Sequence, residues 1–331
     1  MNKLTINRGT IKEFGGKYTN YITFVFLFIV LGILTRGGSM QLTSLQNLVI
    51  AESVRAFAAL GVGMIIITRG IDLSIGFMVC LTTSIAASFA QNPDYSSAMY
   101  PGVNFPLFLP ILTAIAVGTL FGAFNGVLVA YAKLPPFIAT LGTMSLARGI
   151  QLIYTQAKVV GSVKDNYKAI AQGFIGPLPN LVIYVAVAAF IVWLILKHTR
   201  LGTNFYAIGG NPQAARVAGI NVEANLVVVY ALAGFLYGVA GVLQASRLGL
   251  ANSLTGQGME LDAIAAVTVG GISQSGGVGT MGGMLVGVLT MGIINYGMTY
   301  LSIDSYYQLL VKGTIIIIAV YFDMRKNARK A

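Results

Sequence analysis

Ten apolar stretches recur along the chain, at 19–35, 47–67, 71–90, 106–131, 135–155, 178–197, 225–248, 261–275, 281–301 and 305–322. A helix needs about 20 apolar residues to cross a bilayer. Each stretch therefore reads as a transmembrane helix, with the short, glycine-rich eighth fitting least well. Only 9% of the 331 residues are charged and 56% are hydrophobic. A soluble domain carries about 25% charged residues, so most of this chain's surface must face lipid. The 40 glycines fit the same picture, because small residues let membrane helices approach closely. The expected fold is all-α, one polytopic membrane domain over 1–331.

The net charge is +11, from 21 Lys+Arg against 10 Asp+Glu. No basic patch is interleaved with aromatics on a soluble surface, which argues against nucleic acid. The basic residues track topology instead. Ten spans put both termini on one side. With that side inside, 13 basic residues fall in inside segments, five outside (Arg36, Lys158, Lys164, Lys168, Arg247) and three within spans (Arg55, Arg148, Lys312). The excess of positive charge then marks the cytoplasmic face of the membrane. Lys3, Arg8, Lys12 and Lys17 before the first apolar run resemble the start of a signal peptide, but no clear small-residue cleavage site follows, so the run is expected to stay as the first span. The one cysteine, Cys80, lies in an apolar run and the one histidine, His198, in a loop. No Cys/His metal site is expected, and Cys80 reads as a small buried apolar residue.

The sequence also repeats. GAFNGVLVAYAKLPPFIATLGT (122–143) resembles GIINYGMTYLSIDSYYQLLVKGT (292–314), with Gly122 and Asn125 matching Gly292 and Asn295. The copies are five spans apart, so one is inverted relative to the other in the membrane. Inverted-repeat halves suit transporters, in which similar halves open a central site alternately to each side. Sparse identity in so biased a composition also arises by chance.

Residues 207–220, AIGGNPQAARVAGI, interrupt the apolar runs with a short polar helix. Asn211 suits the N-cap, Pro212 the first turn, and Gly219 the position just past the end, where a left-handed turn is needed. Two turns over Pro212–Ala218 are not stable alone in water. Ala214, Val217 and Ala218 form a small apolar face, which either rests on its own membrane domain or docks a partner.

QAARVAG (213–219) resembles the E-A-A-x-x-x-G loop of ABC-importer permeases, with Gln213 in place of Glu. TRGIDLSIG, YAIGGNPQAARVAGINV, ELDAIAAVTVGG, SGGVGT, INYGMTY and YYQLLVKGTIIIIAV resemble the ribose/galactose branch of the sugar permeases, and the tail from about 200 is most similar to the galactose/methyl-galactoside type. The resemblance covers nearly the whole chain. It implies that two copies of this subunit form the pore. It implies too that Asn211, Pro212, Gln213, Ala214, Ala215, Arg216, Val217, Ala218 and Gly219 form the coupling helix on a cytoplasmic ABC ATPase, and that an extracytoplasmic sugar-binding protein delivers substrate. The chain would sit in the inner membrane with both termini cytoplasmic. It would carry no cofactor, with ATP and Mg on the partner ATPase.

Candidate site residues follow from charge and amide placement. Glu52 and Arg55 share a helix face at i, i+3 and can pair; they serve packing or face an aqueous cavity. Arg148 and Lys312 lie deeper, and charges inside a membrane usually face a bundle interior or water. Asn125, Asn295 and the neighbouring Tyr296 are pore candidates, with helix–helix glue as the plainer role for the asparagines. Glu260 and Asp262 start the eighth span just outside, where they favour the helix dipole or meet the binding protein or a sugar hydroxyl. Arg69 and Asp72 are expected in a tight inside turn, Asp72 capping the third span and Arg69 near the second span's last carbonyls. VGGISQSGGVGTMGG (269–283) cannot be one regular helix. No G-x-x-x-x-G-K-[ST] occurs, so no nucleotide site is expected.

The function expected is ATP-driven import of a monosaccharide of the galactose type by alternating access, with no covalent chemistry. Ribose, xylose or a nucleoside remain open as substrates. An ion-coupled secondary transporter is the rival, but it would want a midspan carboxylate; Glu52 is the one acid within a span, and Arg55 is placed to neutralise it.

Overall fold

The computed structural model describes the backbone of residues 8–328 and the side chains of 19–325. The side chains of Lys3, Arg8, Lys12, Lys17, Lys326, Arg329 and Lys330, all part of the charge argument, lie outside the described residues. Helices dominate: α1 (Arg8–Leu34), α2 (Leu42–Ile67), α3 (Ile75–Phe89), α4 (Phe108–Ala130), α5 (Pro136–Thr155), α6 (Asp165–Gln172), α7 (Asn180–His198), α8 (Arg200–Gly210), α9 (Pro212–Val217), α10 (Val222–Leu248), α11 (Met259–Val269), α12 (Met281–Tyr300) and α13 (Ser305–Ala328). The sheet among the described residues is one pair of two-residue strands, β1 (Phe174–Ile175) and β2 (Leu178–Pro179).

Every apolar stretch carries a helix, but among the described residues six are long and apolar enough to cross a membrane: α2, α4, α7, α10, α12 and α13 up to Arg325. Thr19–Leu34 of α1 and all of α3 are shorter apolar helices. α5 breaks its apolar run with Thr143, Ser145, Arg148 and Gln151. The expected eighth span, 261–275, is corrected to the 11 residues of α11. At about 1.5 Å per residue α11 reaches about half of the bilayer core. Gly270 and Gly271 then stop it, Gly271 with φ +92°, and the chain runs irregularly to Met281.

The connections gather at two ends. At one end, Ile67 accepts the N–H of Gly277, the Tyr206 hydroxyl donates to the carbonyl of Gly279 at 2.8 Å, and Gln274 N–H reaches Asp323 of α13. At the other, residues 156–179 fold over the bundle. Val160 bridges to Ala251 and Val163 to Gln91, while Gln46 donates to Pro177. What reads in sequence as one long external loop is thus α6 and a β-turn. They are seated by fully buried Tyr167, whose hydroxyl donates to Val242, and by Ser246, whose hydroxyl donates to Tyr167 and Lys168 carbonyls.

The core is built around α2, α3, α10 and α11. α4 and α10 meet backbone to backbone. Gly118, Gly122 and Gly126 recur every fourth residue on α4; the first two face Gly234 and Gly238 of α10 and Gly126 faces Val227. A Cβ at Gly122 would run into the Tyr230 carbonyl, and one at Gly234 into that of Gly118. Small residues at this spacing remove the side-chain spacer, so dispersion contacts form between the main chains themselves. Outward, α7 exposes Val187, Phe190, Ile191 and Leu194, and α13 exposes Leu309, Leu310, Ile317 and Phe322. Apolar faces of this extent are unfavourable in water and suit a lipid surround.

The expected turn forms at Thr68 and Arg69, and residues 70–74 then run irregularly into the protein, where Asp72 and Ser74 are buried. Irregular backbone at such depth survives only if its polar groups are paired. Here Tyr230 Oη donates to Ile71 O at 2.9 Å and Leu73 N–H donates to Thr140 Oγ1 at 3.1 Å. Asp72 is fully buried and its Oδ1 accepts from Ser74 N and Oγ, so it closes a turn on Ser74 rather than capping α3. Ser74 Oγ in turn accepts from Asn125 Nδ2 at 3.0 Å.

Candidate functional site

α9 is a short knob at the end of the bundle where α2 finishes. Asn211 Oδ1 accepts the N–H groups of Gln213 (3.0 Å) and Ala214 (3.1 Å), and Pro212 occupies the first turn. The helix stops one residue earlier than the sequence pattern suggests, at Val217. Gly219, at φ +83°, turns the chain back so that Ile220 N–H closes on Ala215 O. Ala215 (3% exposed) is the residue that seats on the domain, against Ile208 and Val222. Ala214, Val217 and Ala218 point away, and Val217 is 91% exposed. Gln213 is exposed too, and Arg216 pairs with Glu223 at 2.6 Å. α8, which sequence reasoning missed, carries this knob. Its one legible signal is Thr199, whose hydroxyl oxygen accepts from Gly202 N and acts as an N-cap.

The root of the knob is tied to two other segments. Arg69, in the left-handed region at φ +64°, sends Nη2 to Gly210 O (2.9 Å) and Nε to Ser275 O (2.7 Å). It therefore serves the end of α8 and the 270–280 loop, not the carbonyls of its own helix as the sequence suggested. Gly209 lies so near the end of α2 that a Cβ would overlap the Ile67 carbonyl, and a Cβ on Gly276 would strike Arg69 Cγ. Burial raises the pKa of the Tyr206 phenol, which keeps it a donor to Gly279.

A second polar assembly lies within the bundle. Glu52 and Arg55 of α2 pair through Oε1 and Nη1, Arg55 Nε lies 3.5 Å from Asp262 Oδ2 of α11, and Lys312 Nζ of α13 lies 3.0 Å from Asp262 Oδ1. Two acids and two bases from three helices thus balance, as buried charges must if they are to stay ionised. Asp262 is 8% exposed, so it faces inward and does not present itself outside as expected. Glu260 turns to another side, against α3, where its carboxylate occupies the space a Cβ on Gly76 would need. A cavity of about 280 Å³ between α2, α7 and α12 is lined by Glu52 and Ser53 with apolar neighbours. The larger cavity, about 590 Å³ between α2, α4, α7 and α10, is lined by apolar residues and tyrosine. It offers little to sugar hydroxyls, which need paired donors and acceptors.

The remaining candidates do not join that network. Asn125 has 0% exposure and holds Ser74, so it ties α4 to the α2–α3 connection and is no open pore residue. Asn295 is buried on α12 with both amide atoms lacking a hydrogen bond among the described residues, and one turn before it Gly292 abuts Glu52. Tyr296 packs with the Leu31, Leu48 and Ile293 cluster between α1, α2 and α12. Arg148 is exposed on α5, its guanidinium 5.0 Å from the Phe77 ring centroid.

A spanning bundle with a projecting knob and a buried charge network suits more than one membrane function, and comparison with known proteins decides among them. The sequence profile described as "Branched-chain amino acid transport system / permease component" matches residues 44–320. The chain belongs to this permease family. The galactose/methyl galactoside import permease protein of Haemophilus influenzae is 41% identical over 329 residues, 96% of this chain and 98% of that one. The protein of the same name from Escherichia coli K12 is 41% identical, covering 93% and 94%. The ribose import permease protein of Haemophilus influenzae is 37% identical, covering 93% and 94%. No solved structure matches. This permease is a multi-pass, helical membrane protein whose role is transport rather than covalent catalysis.

Proposed function

We propose that this permease is the membrane subunit of an ATP-driven importer for galactose or methyl galactosides, lying in the inner membrane with both termini cytoplasmic. Two copies enclose the pathway. A cytoplasmic ATPase, which carries ATP and Mg, docks on α9, and an extracytoplasmic binding protein delivers the sugar to the opposite end. The observation that carries this reading is the geometry of α9: a six-residue helix, capped by Asn211 and seated by Ala215, that holds Val217 fully out. A large apolar side chain on so small a projecting element is unfavourable unless a partner covers it. The sugar rests on the relatives at 41% identity. Ribose is the second reading, from the relatives named for ribose import at 37% identity.

The test is sugar uptake into proteoliposomes holding the permease, its partner ATPase and the binding protein. Val217→Asp is the variant of choice, because the side chain makes no internal contact worth losing, whereas Arg216→Glu would also break the pair with Glu223. Uptake should require ATP, be competed by galactose more than by ribose, and fall by about a hundredfold in Val217→Asp, the size expected for loss of an interface anchor. Uptake that follows an ion gradient without ATP, or that survives Val217→Asp, overturns the reading.

A further inference from the structure

α13 differs from the other spanning helices in having none of its apolar window buried. Ile315 and Ile316 pack partly against the core, and among the described residues two polar attachments add to this. Lys312 pairs with Asp262 of α11, and Asp323 accepts from Ser273 Oγ (3.2 Å) and Gln274 N–H (2.9 Å). Both partners belong to one continuous unit, α11 and the loop that follows it. That loop is joined to the root of α9 by the Arg69 guanidinium, which holds Gly210 O on one side and Ser275 O on the other. Gly210 immediately precedes Asn211, the cap of α9. The contact is rigid because the main chains of residues 67, 209 and 277 touch without side chains between them. Packed elements of this kind transmit displacement as bodies and do not absorb it.

We propose that Arg69 is the positioning residue that couples α9 to α13: it clamps Gly210 and Ser275, so that displacement of α9 moves the 273–279 loop and, through Asp323, the least buried of the spanning helices among the described residues. This rests on α9 being the ATPase dock. Arg69 suits the task because a planar guanidinium holds two carbonyls in fixed relation, which a lysine ammonium does not. The left-handed backbone is unfavourable for any residue but glycine, so a merely local role would favour Gly at this position.

The experiment uses the same reconstituted complex and reads sugar imported per ATP hydrolysed, with retention of the ATPase on the permease as a separate readout. Arg69→Gly keeps the turn and removes only the clamp. It should leave the ATPase bound and hydrolysing while the transport ratio falls by roughly tenfold, with Arg69→Lys intermediate. Spin labels at Phe124 on α4 and Phe322 on α13, both exposed, give a second measurement: ATP should change their separation in the wild type and not in Arg69→Gly. An unchanged transport ratio, or an unchanged ATP-driven separation in Arg69→Gly, overturns the proposal. Failure of the docking reading looks different, because Val217→Asp would then leave the ATPase bound and uptake intact.

Discussion

α10 and α13 are both apolar, both long enough to cross a membrane, and attached in opposite ways. Of α10's most apolar window 61% is buried, and of α13's none. α10 lies against α4 through glycines, so its attachment is continuous along the helix and made of main-chain contact. Among its described residues, α13 packs only Ile315 and Ile316 partly against the core and is pinned at Lys312 and Asp323. Continuous packing has no alternative arrangement close in energy, whereas two polar pins can release and re-form. The difference separates a frame, α2, α3, α4 and α10, from an element that can shift against it.

Damage to the frame should have the largest effect. Gly122→Val drives a branched side chain into the Tyr230 carbonyl and should cost about 3 kcal/mol, read as a lower thermal midpoint of the purified permease in detergent. A midpoint unchanged from wild type would mean α4 and α10 are not rigidly joined.

Removing the upper pin comes next. Lys312→Met leaves Asp262 with Arg55 alone, at 3.5 Å. Breaking a buried pair from one side costs about 3–5 kcal/mol, and the partial exposure of Lys312 reduces this to roughly 2 kcal/mol. Amide exchange should speed up along α13 and stay constant in α10; equal acceleration in both would erase the distinction. Lys312→Met combined with Asp262→Leu should recover part of the loss, since an apolar pair of similar size replaces a buried ionic one.

Asp323→Ala removes acceptors for Ser273 and Gln274 and should cost about 1 kcal/mol. The readout is protease sensitivity of the 273–279 loop, which should rise without loss of the folded bundle.

The smallest effect is expected at the far end. Asp165 at the start of α6 pairs with Lys168, whose hydrogen bond and charge hold the Asp165 carboxyl below its ordinary value of 3.8. A lowered carboxylate pKa adds stability that is complete above 3.8 and is lost as pH falls through the folded value. Asp165→Asn should therefore remove a small acid-dependent change in α6 amide exchange, and leave α13 as it was. Lys164 has the opposite sign. Burial beside Asn104 and Phe105 lowers its pKa from 10.5, so its charged form opposes folding and that cost fades as pH rises toward 10.5.

Much of the α9 region was legible, because caps and turns act over four or five residues: Asn211, Pro212 and Gly219 do in space what their order suggests. The apolar stretches were legible for the same reason, as lipid demands an internally bonded backbone wherever about 20 apolar residues run together. Longer-range facts were not. Nothing near Asp262 in the chain announces Lys312, 50 residues away, and nothing near Asn125 announces Ser74. Arg69 was read as serving its own helix because Gly210 and Ser275 lie far away in the sequence.

The sequence by itself determined that this permease is a set of membrane helices with a capped knob between two of them, since local hydrogen bonding and solvent preference decide those matters residue by residue. Tertiary structure alone decided which charges neutralise one another, that 70–74 enters the protein, and that α13 is pinned where α10 is packed. Those outcomes depend on which helix faces lie opposite each other, and burial makes a charge or a bare carbonyl acceptable only once the partner from another helix has arrived.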